Sequence, residues 1–519
     1  MKNFLVEIKD MDQKEDTHPE DNQTEIPIAM GTKSKETRDY PQAQGVVNEE
    51  LSIDPDAEKR LLRKLDKRIL PFGTLLYLLS FLDRTNISNA KIADIEKDLN
   101  LTEGQFLWCI IIFFFGYALF EIPSNIALKR LRPSLWLSLI MLLWGIIAVC
   151  MAFSTDFKSL LSTRFLLGLF EAGLFPGLIY YLTLWYRRHE ITSRLAYVFA
   201  GASLAGAFGG MIAFGITRIS QPLRPWQWLF IIEGLPTIIV AFFTFLLLPD
   251  FPTNAKFLTS EERKLAVERL QRDVRFHEEK MTRVKLHWVM DVFREPRLYL
   301  FGVLCGTFTF PLYAIVYFLP SIINQMGNDT LTSQALSVAP NVVACLLTIL
   351  LSMHSELRYE RGLHIALIAA VGTIGFLILM LVRNNAVRYF AIFLVYAGAF
   401  PTTPIGLTWC TSNFYPAEKR NVAIAFMTTV GNAIGATGPL IYRKDDQPDY
   451  VRGHSICFAV MCLTIVLALG IKLHLYILNR ARERQTAAEL SDPHGQEQEK
   501  AGIYTREMTD RDLAFRFSL

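Results

Sequence analysis

The sequence lacks the short motifs that mark most soluble enzymes and secreted proteins. It has seven cysteines in 519 residues, none in C-x-x-C or Cys/His ligand spacing, and its nine histidines form no metal-spaced cluster. No G-x-x-x-x-G-K-[ST] or G-x-S-x-G sequence is present, so direct ATP drive and serine-nucleophile catalysis have no support. The net charge of +3 is too small to indicate a nucleic-acid partner. We therefore expect no metal, no cofactor and no enzymatic activity.

Charge is also scarce within the long apolar stretches. Apolar residues make up 51% of the chain and charged residues 20%, so the average composition resembles that of a soluble protein. The apolar residues nevertheless fall into twelve runs, each close to the roughly 20 residues that a membrane-spanning helix needs. The sequence therefore predicts an all-α membrane protein with twelve transmembrane helices at 69–90, 106–128, 134–153, 159–184, 194–217, 227–248, 298–320, 333–354, 363–382, 388–411, 420–442 and 455–478.

These spans divide into six plus six around a charged segment. The predicted organisation is a disordered N-terminal tail, a six-helix bundle, a connector, a second six-helix bundle and a C-terminal tail, with bounds of 1–68, 69–248, 249–297, 298–478 and 479–519. Within the connector, the sequence TSEERKLAVERLQR predicts a surface helix with Thr259 or Ser260 at its N-cap.

The flanks of the apolar runs bear on orientation. The first 58 residues hold 15 acids and 6 bases, and no apolar core follows Met1, so we expect no cleavable signal peptide. Basic residues cluster just before the first span and just after the last one, and basic flanks stay on the cytoplasmic side. The short loops carry equal numbers of Lys and Arg on the two proposed sides of the membrane, so they do not decide the orientation. We therefore expect both termini in the cytoplasm, with the glycosylation sequons at Asn100 and Asn328 facing outward.

Two glycine-rich spans occupy corresponding places in the two halves. GASLAGAFGG follows a basic loop ending in Arg194, and GNAIGATG follows a basic loop ending in Arg420. Small residues let membrane helices approach closely, and the equivalent placement indicates a duplicated transporter fold. General enrichment of glycine in membrane helices is the alternative explanation.

Ionisable residues inside the apolar runs carry most of the functional information. A charge near the bilayer centre costs at least about 2.5 kcal/mol, so such residues usually face a cavity and find partners. Asp83 and Arg84 lie in the first span, and Arg164 and Glu171 lie in the fourth. Arg164 and Asp83 have similar predicted depths and could pair. Arg164 and Glu171 are two turns apart on one helix face.

Such a cluster could couple protons to an anion. A carboxylate in an apolar environment takes up a proton more readily than one in water. A buried guanidinium stays charged and binds a carboxylate with two parallel hydrogen bonds. Protonation of Asp83 or Glu171 would therefore free Arg84 or Arg164 for an anionic substrate. A static structural ion pair remains the alternative.

Other polar residues in the spans are weaker candidates. Asn86, Tyr117 and Asn432 are predicted to contact substrate, whereas Glu121 and Glu233 are interpreted as gating or structural residues. The same interpretation applies to the basic residues that precede the glycine-rich spans, Arg194 and Arg420.

At these positions the sequence resembles the major facilitator superfamily. More narrowly, it resembles the fungal branch of the anion:cation symporter family, the allantoate and nicotinate permeases. The resemblance covers about residues 59–519 and rests on RILPFGTLLYLLSFLDRTNISNAKI, GYALFEIPSN, RFLLGLFEAGLFPG, LTLWYRRHE, WQWLFIIEGLP, LPDFPTNAKFLTSEER, SNFYPAEKR and MTDRDLAFRFSL. The loop ALKRLRPSLW departs from the superfamily pattern G-x-x-x-D-R-x-G-R-R. DDQPDYVRG replaces an Ala-Pro-Arg-Tyr segment that is frequent in fungal relatives.

The resemblance implies two pseudo-symmetric six-helix bundles that alternate access around a central site. Relatives use an acid and an arginine of the first helix and an arginine and a glutamate of the fourth, which match Asp83, Arg84, Arg164 and Glu171. It implies a monomeric, proton-coupled symporter of a small organic anion such as nicotinate or allantoate, in a fungal plasma membrane. An exporter of a carboxylated secondary metabolite and a non-transporting nutrient receptor remain alternatives.

Overall fold

The computed structural model describes residues 54–187, 190–216, 219, 222–275, 291–414, 417–491 and 517–518. Within these ranges the chain is helical and contains no β-strand. The α-helices with defined bounds among the described residues are α1 (Pro55–Ile92), α2 (Ile95–Asp98), α3 (Glu103–Arg130), α4 (Pro133–Met151), α5 (Phe157–Glu171), α6 (Leu174–Thr183), α7 (Ile191–Ile216), α8 (Pro225–Leu247), α9 (Ser260–Arg275), α10 (Pro296–Gln325), α11 (Thr330–Leu357), α12 (Gly362–Leu381), α13 (Asn385–Ala399), α14 (Thr402–Ser412), α15 (Ala417–Gly435) and α16 (Val451–Ser491).

The apolar runs are the membrane-spanning helices of the fold. Eleven segments of the described residues are long and apolar enough to cross a membrane, and they correspond in order to the second through twelfth predicted spans. The first predicted span lies within α1 as a continuous helix. It is less apolar than the others because the run DRTNISN interrupts its outer part.

Helix α1 begins earlier than expected. The predicted disordered tail reached residue 68, but the helix starts at Pro55, and of that tail residues 1–53 lie outside the described residues. The Asp54 carboxylate accepts a hydrogen bond from the Asp56 amide, and proline is well suited to the first helical position. Leu61 and Leu65, one turn apart, are fully buried and hold this extension against the protein.

Two predicted spans are divided into paired helices. The fourth is interrupted between Glu171 and Leu174, because Pro176 has no amide hydrogen to donate to the carbonyl of Ala172. The tenth is interrupted between α13 and α14, where Pro404 removes the corresponding bond in the same way. The first interruption places Glu171 at the end of a helix, in the protein interior.

Close helix contacts occur where the glycine-rich sequences predict them. Gly206 of α7 packs so closely on Asn341 of α11 that a Cβ atom would overlap the amide side chain. Gly431 of α15 packs in the same way on Cys305 of α10. The first contact joins α7 to the second half of the chain (α10–α16), and the second joins α15 to α10 within that half.

The connector is tied to the first half of the chain (α1–α8) by ion pairs. Thr259 is the N-cap of α9, with Thr259 Oγ1 accepting from the Glu262 amide at 3.2 Å. Ion pairs then join α9 and the loop before α7 to their surroundings: Lys64 with Glu262 at 2.6 Å, Arg269 with Glu190 at 3.0 Å, and Arg187 with Glu58 at 2.9 Å. Residues 276–290 of the predicted connector lie outside the described residues.

The segment Phe517–Ser518 docks against the second half. Asn479 of α16 bonds to both backbone groups of Phe517, each at 2.9 Å. Asn413 does the same for Ser518, and Trp409 donates its indole N–H to the Ser518 carbonyl at 2.8 Å. Phe517 is 4% exposed, so part of the predicted C-terminal tail is a packed element of the fold.

Candidate functional site

A central cavity lies between the two halves of the chain. The first half contributes residues of α1, α3, α6 and α7, and the second half residues of α10, α14 and α15. Its lining residues are Tyr77, Phe81, Arg84, Tyr117, Phe175, Phe199, Cys305, Thr309, Leu312, Tyr313, Thr403, Leu407, Thr428 and Asn432. Three of the predicted substrate-contacting residues are therefore brought together here, namely Arg84, Tyr117 and Asn432.

Arg84 forms a buried ion pair with Glu171 at the wall of this cavity. Arg84 Nη2 and Nε donate to Glu171 Oε1 at 2.6 and 3.0 Å. Ser80, one turn before Arg84 on α1, donates to the same oxygen at 2.6 Å. The second carboxylate oxygen, Oε2, has no hydrogen-bond partner. One oxygen of Glu171 thus accepts three hydrogen bonds, while the other accepts none.

Aromatic rings and a polar link to the second half complete the surroundings of Arg84. The rings of Phe113 and Tyr117 lie 5.1 and 5.2 Å from the guanidinium carbon, within the range of cation–π attraction. Arg84 Nη1 donates to the Tyr313 hydroxyl at 3.3 Å, and that hydroxyl donates to Asn432 Oδ1 at 2.9 Å. A chain of hydrogen bonds therefore runs from Glu171 through Arg84 to α15.

The expected Asp83–Arg164 ion pair does not form. Arg164 is fully buried, and its Nη2 donates to the backbone carbonyl of Arg84 at 3.2 Å, while Nε and Nη1 have no hydrogen-bond partner. The four predicted charges are thus one ion pair, one arginine beside it and one separate aspartate. Depth along the helix placed Asp83 and Arg164 at one level, but rotation about the helix axis directs them to different neighbours.

Asp83 instead faces α4 and α8. Its Oδ2 accepts from Thr237 Oγ1 at 2.8 Å and from Trp144 Nε1 at 3.2 Å. Asn86, a predicted substrate contact, is absent from the cavity lining and lies beside Glu233. All three side chains, Asp83, Asn86 and Glu233, are at most 1% exposed.

Glu121 connects the two halves across the cavity. It accepts hydrogen bonds from Thr428 at 3.0 Å and from Thr429 at 3.2 Å, both on α15. Arg194, on α7, makes a two-point contact with the carboxylate of Asp66, at 3.1 and 3.0 Å. Arg420 lies near the start of α15 and is half-buried.

The two sequons differ in their surroundings. Asn100 is exposed, in a turn with a positive φ of 51°. The side-chain amide of Asn328 donates to the Ile323 carbonyl at 2.9 Å. Use of either sequon stays a prediction.

Some participants escaped the sequence analysis. Ser80 could have been found from its spacing, because it lies four residues before Arg84 and so on the same face of α1. Thr237 and Trp144 carry no such signal, because their role comes from the packing of α4 and α8 around Asp83.

The sequence pattern described as Major Facilitator Superfamily matches residues 73–439. The chain belongs to the major facilitator superfamily. It is 37% identical over 448 residues to the MFS transporter prlL of Fungal sp. (strain NRRL 50135), covering 84% of this chain and 90% of that one. It is 33% identical to the major facilitator-type transporter hxnP of Emericella nidulans, covering 88% and 92%. This major facilitator protein is a transporter embedded in a membrane by multiple spans, and it is not an enzyme.

The fold agrees with that assignment. The structure of the proton:xylose symporter XylE superposes with a TM-score of 0.63 at 15% identity, covering 78% of this chain and 95% of that one. At that identity the likeness concerns the fold alone. The all-helical major facilitator fold predicted from the sequence is therefore confirmed.

Proposed function

We propose that this transporter moves a small organic anion, a carboxylate, together with protons by alternating access. The observation that carries the proposal is the Arg84–Glu171 pair in the cavity wall. A guanidinium within an apolar and aromatic cavity is suited to a carboxylate, because it can donate two parallel hydrogen bonds that such surroundings strengthen.

Glu171 supplies the coupling. Oε1 holds Arg84, and Oε2 has no partner. A proton on Glu171 removes the charge that holds Arg84, and the guanidinium then becomes available to the substrate. Loss of the proton from Glu171 restores the ion pair and releases the anion. Proton uptake and anion binding therefore favour each other, and the energy source is the proton gradient without a cofactor.

The contacts across the cavity suit alternating access. In this proposal the segments 69–248 and 298–478 act as two six-helix bundles, with Glu121 and its partners on α15 as one contact that must break. Basic residues next to the first and last spans support both termini in the cytoplasm. We place the protein in the plasma membrane, as a monomer.

A panel of radiolabelled carboxylates, taken up at two external pH values, tests the proposal. We expect uptake of at least one carboxylate to be faster at acidic external pH and to collapse with a protonophore. Glu171→Gln should keep exchange of that substrate across the membrane but lose the acceleration by acid. Uptake that is independent of both external pH and protonophore would contradict proton coupling. If none of the carboxylates in the panel were taken up, the proposal that the substrate is a carboxylate would fail.

A further inference from the structure

A pair of buried carboxyl side chains, Asp83 and Glu233, lies outside the cavity. Asp83 immediately precedes Arg84 but points about 100° away from it around α1, where only Oδ2 has hydrogen-bond donors. Its other oxygen, Oδ1, has no partner, and the side chain is fully buried. Glu233 of α8 is 1% exposed, and neither of its carboxyl oxygens has a hydrogen-bond partner.

The packing brings the two acids together. Thr237, which donates to Asp83, lies one turn after Glu233 and also contacts the Glu233 backbone carbonyl at 3.4 Å. Asp83 and Asn86 both lie close to Glu233. Asn86 is 1% exposed, and neither its oxygen nor its nitrogen has a partner. Buried polar atoms with no hydrogen-bond partner cost free energy. The hydrogen bonds within this group of side chains leave several such atoms unsatisfied.

The surroundings of Asp83 and Glu233 provide no bonded cation among the described residues. Among the described residues, no Lys, Arg or His is bonded to either carboxyl. From α5, Arg164 and Glu171 act on Asp83 at longer range with opposite signs. Helix α4 contributes the uncharged indole of Trp144, and α7 contributes Gly209, which has no side chain. Two ionised carboxylates would therefore repel one another in an apolar interior with no bonded cation.

A bound proton fits the two carboxyl groups better than a bound metal ion does. The groups that touch Asp83 Oδ2 are an N–H and an O–H, which donate hydrogen bonds and stabilise an anion. Among the described residues, no group of three His, Cys, Asp or Glu side chains could hold a metal ion. A proton on Glu233 removes one charge and creates a donor for the free oxygen of Asp83 or of Asn86.

We propose that Asp83 and Glu233 bind one proton between them, as a second proton site beside the Arg84–Glu171 pair. Glu233 carries the proton, because Asp83 already accepts two hydrogen bonds as an anion. The binding of this proton does not depend on the proposed transport function. Its use in transport rests on the proposed function, because the adjacent position of Arg84 on α1 is what connects the second site to the cavity.

Infrared spectroscopy tests the protonation without a substrate. The probe is the carbonyl band of a protonated carboxyl group, measured at neutral pH on the purified full chain in nanodiscs. We expect that Glu233→Gln and the double variant Asp83→Asn/Glu233→Gln lose a band that the unmodified protein shows. The control Glu262→Gln, whose carboxylate is paired with Lys64 outside the spans, should keep it. Spectra of Glu233→Gln that equal those of the unmodified protein would overturn the proposal.

Transport measurements then separate this inference from the proposed function. Thermal unfolding first establishes that Glu233→Gln is folded. With the carboxylate that the unmodified protein transports, the variant should retain exchange and lose accumulation driven by an acidic exterior. An unchanged pH profile would overturn the coupling role of Glu233. If the unmodified protein showed the infrared band but no proton-driven uptake, the proposed function would fail and the proton site would stand.

Discussion

The two halves of the cavity differ in their chemistry. The first half of the chain lines the cavity with Arg84 and holds five further buried charges in its spans, namely Asp83, Glu121, Arg164, Glu171 and Glu233, all at most 4% exposed. The second half lines the same cavity with hydroxyl, thiol, amide, aromatic and aliphatic side chains, and none of these lining residues is Asp, Glu, Lys, Arg or His. The difference indicates a division of labour, in which the first half binds ionic groups and the second half sets shape and hydrogen bonding.

The largest expected effect comes from the charged side. Arg84→Lys keeps the charge but removes the fork that contacts Glu171 through two nitrogens. Loss of a charge-assisted hydrogen bond costs about 1.5–3 kcal/mol, so uptake of the substrate should fall by about 10- to 100-fold. The same change at the exposed Arg358 is the control and should leave uptake unaltered. Equal uptake by both variants would contradict the division of labour.

Changes on the neutral side should be milder. Tyr313→Phe removes the hydroxyl that links Arg84 to Asn432, a loss worth about 0.5–1.5 kcal/mol. We expect KM to rise by about 2- to 10-fold and the order of preference among carboxylates to change, while the dependence on pH stays. A variant that loses its pH dependence would place proton coupling in the second half as well.

The contact between the halves offers a smaller test. Thr428→Val keeps the shape of the side chain but removes one donor to Glu121. A weaker contact should favour the state in which α3 and α15 separate, with about a threefold change in turnover at unchanged pH dependence. Accessibility of a cysteine introduced beside this contact measures the shift. No change in accessibility would mean that Glu121 does not hold the halves together.

The smallest effect on transport is expected at the docked segment. Asn479→Ala removes both hydrogen bonds to the Phe517 backbone, which should lower stability by about 1–2 kcal/mol. Thermal unfolding in nanodiscs measures this loss. KM should stay the same, because Asn479 does not line the cavity. A change in KM would connect the docked segment to substrate binding.

The spans were predictable because apolar runs of membrane length have few other uses. The four intramembrane charges were predictable as a group for the same reason, since each is costly in that environment. Which of these four charges would pair with one another was not predictable from the sequence. The sequence specifies that Asp83 and Arg84 point in different directions from α1, but the neighbours on each side depend on how α4, α5 and α8 pack. Glu171 thus took Arg84 as its partner, and Asp83 took Thr237 and Trp144.

Consecutive residues on an α-helix point about 100° apart, and this gives α1 a mechanical property. Arg84 reaches into the cavity from one side, and Asp83 contacts α4 and α8 from the other. Because both side chains belong to the same helix, a rotation of α1 about its axis would move Arg84 and Asp83 together. A substrate that moved Arg84 by rotating α1 would therefore also change the hydrogen bonds of Asp83, which would link the two sites through the helix itself.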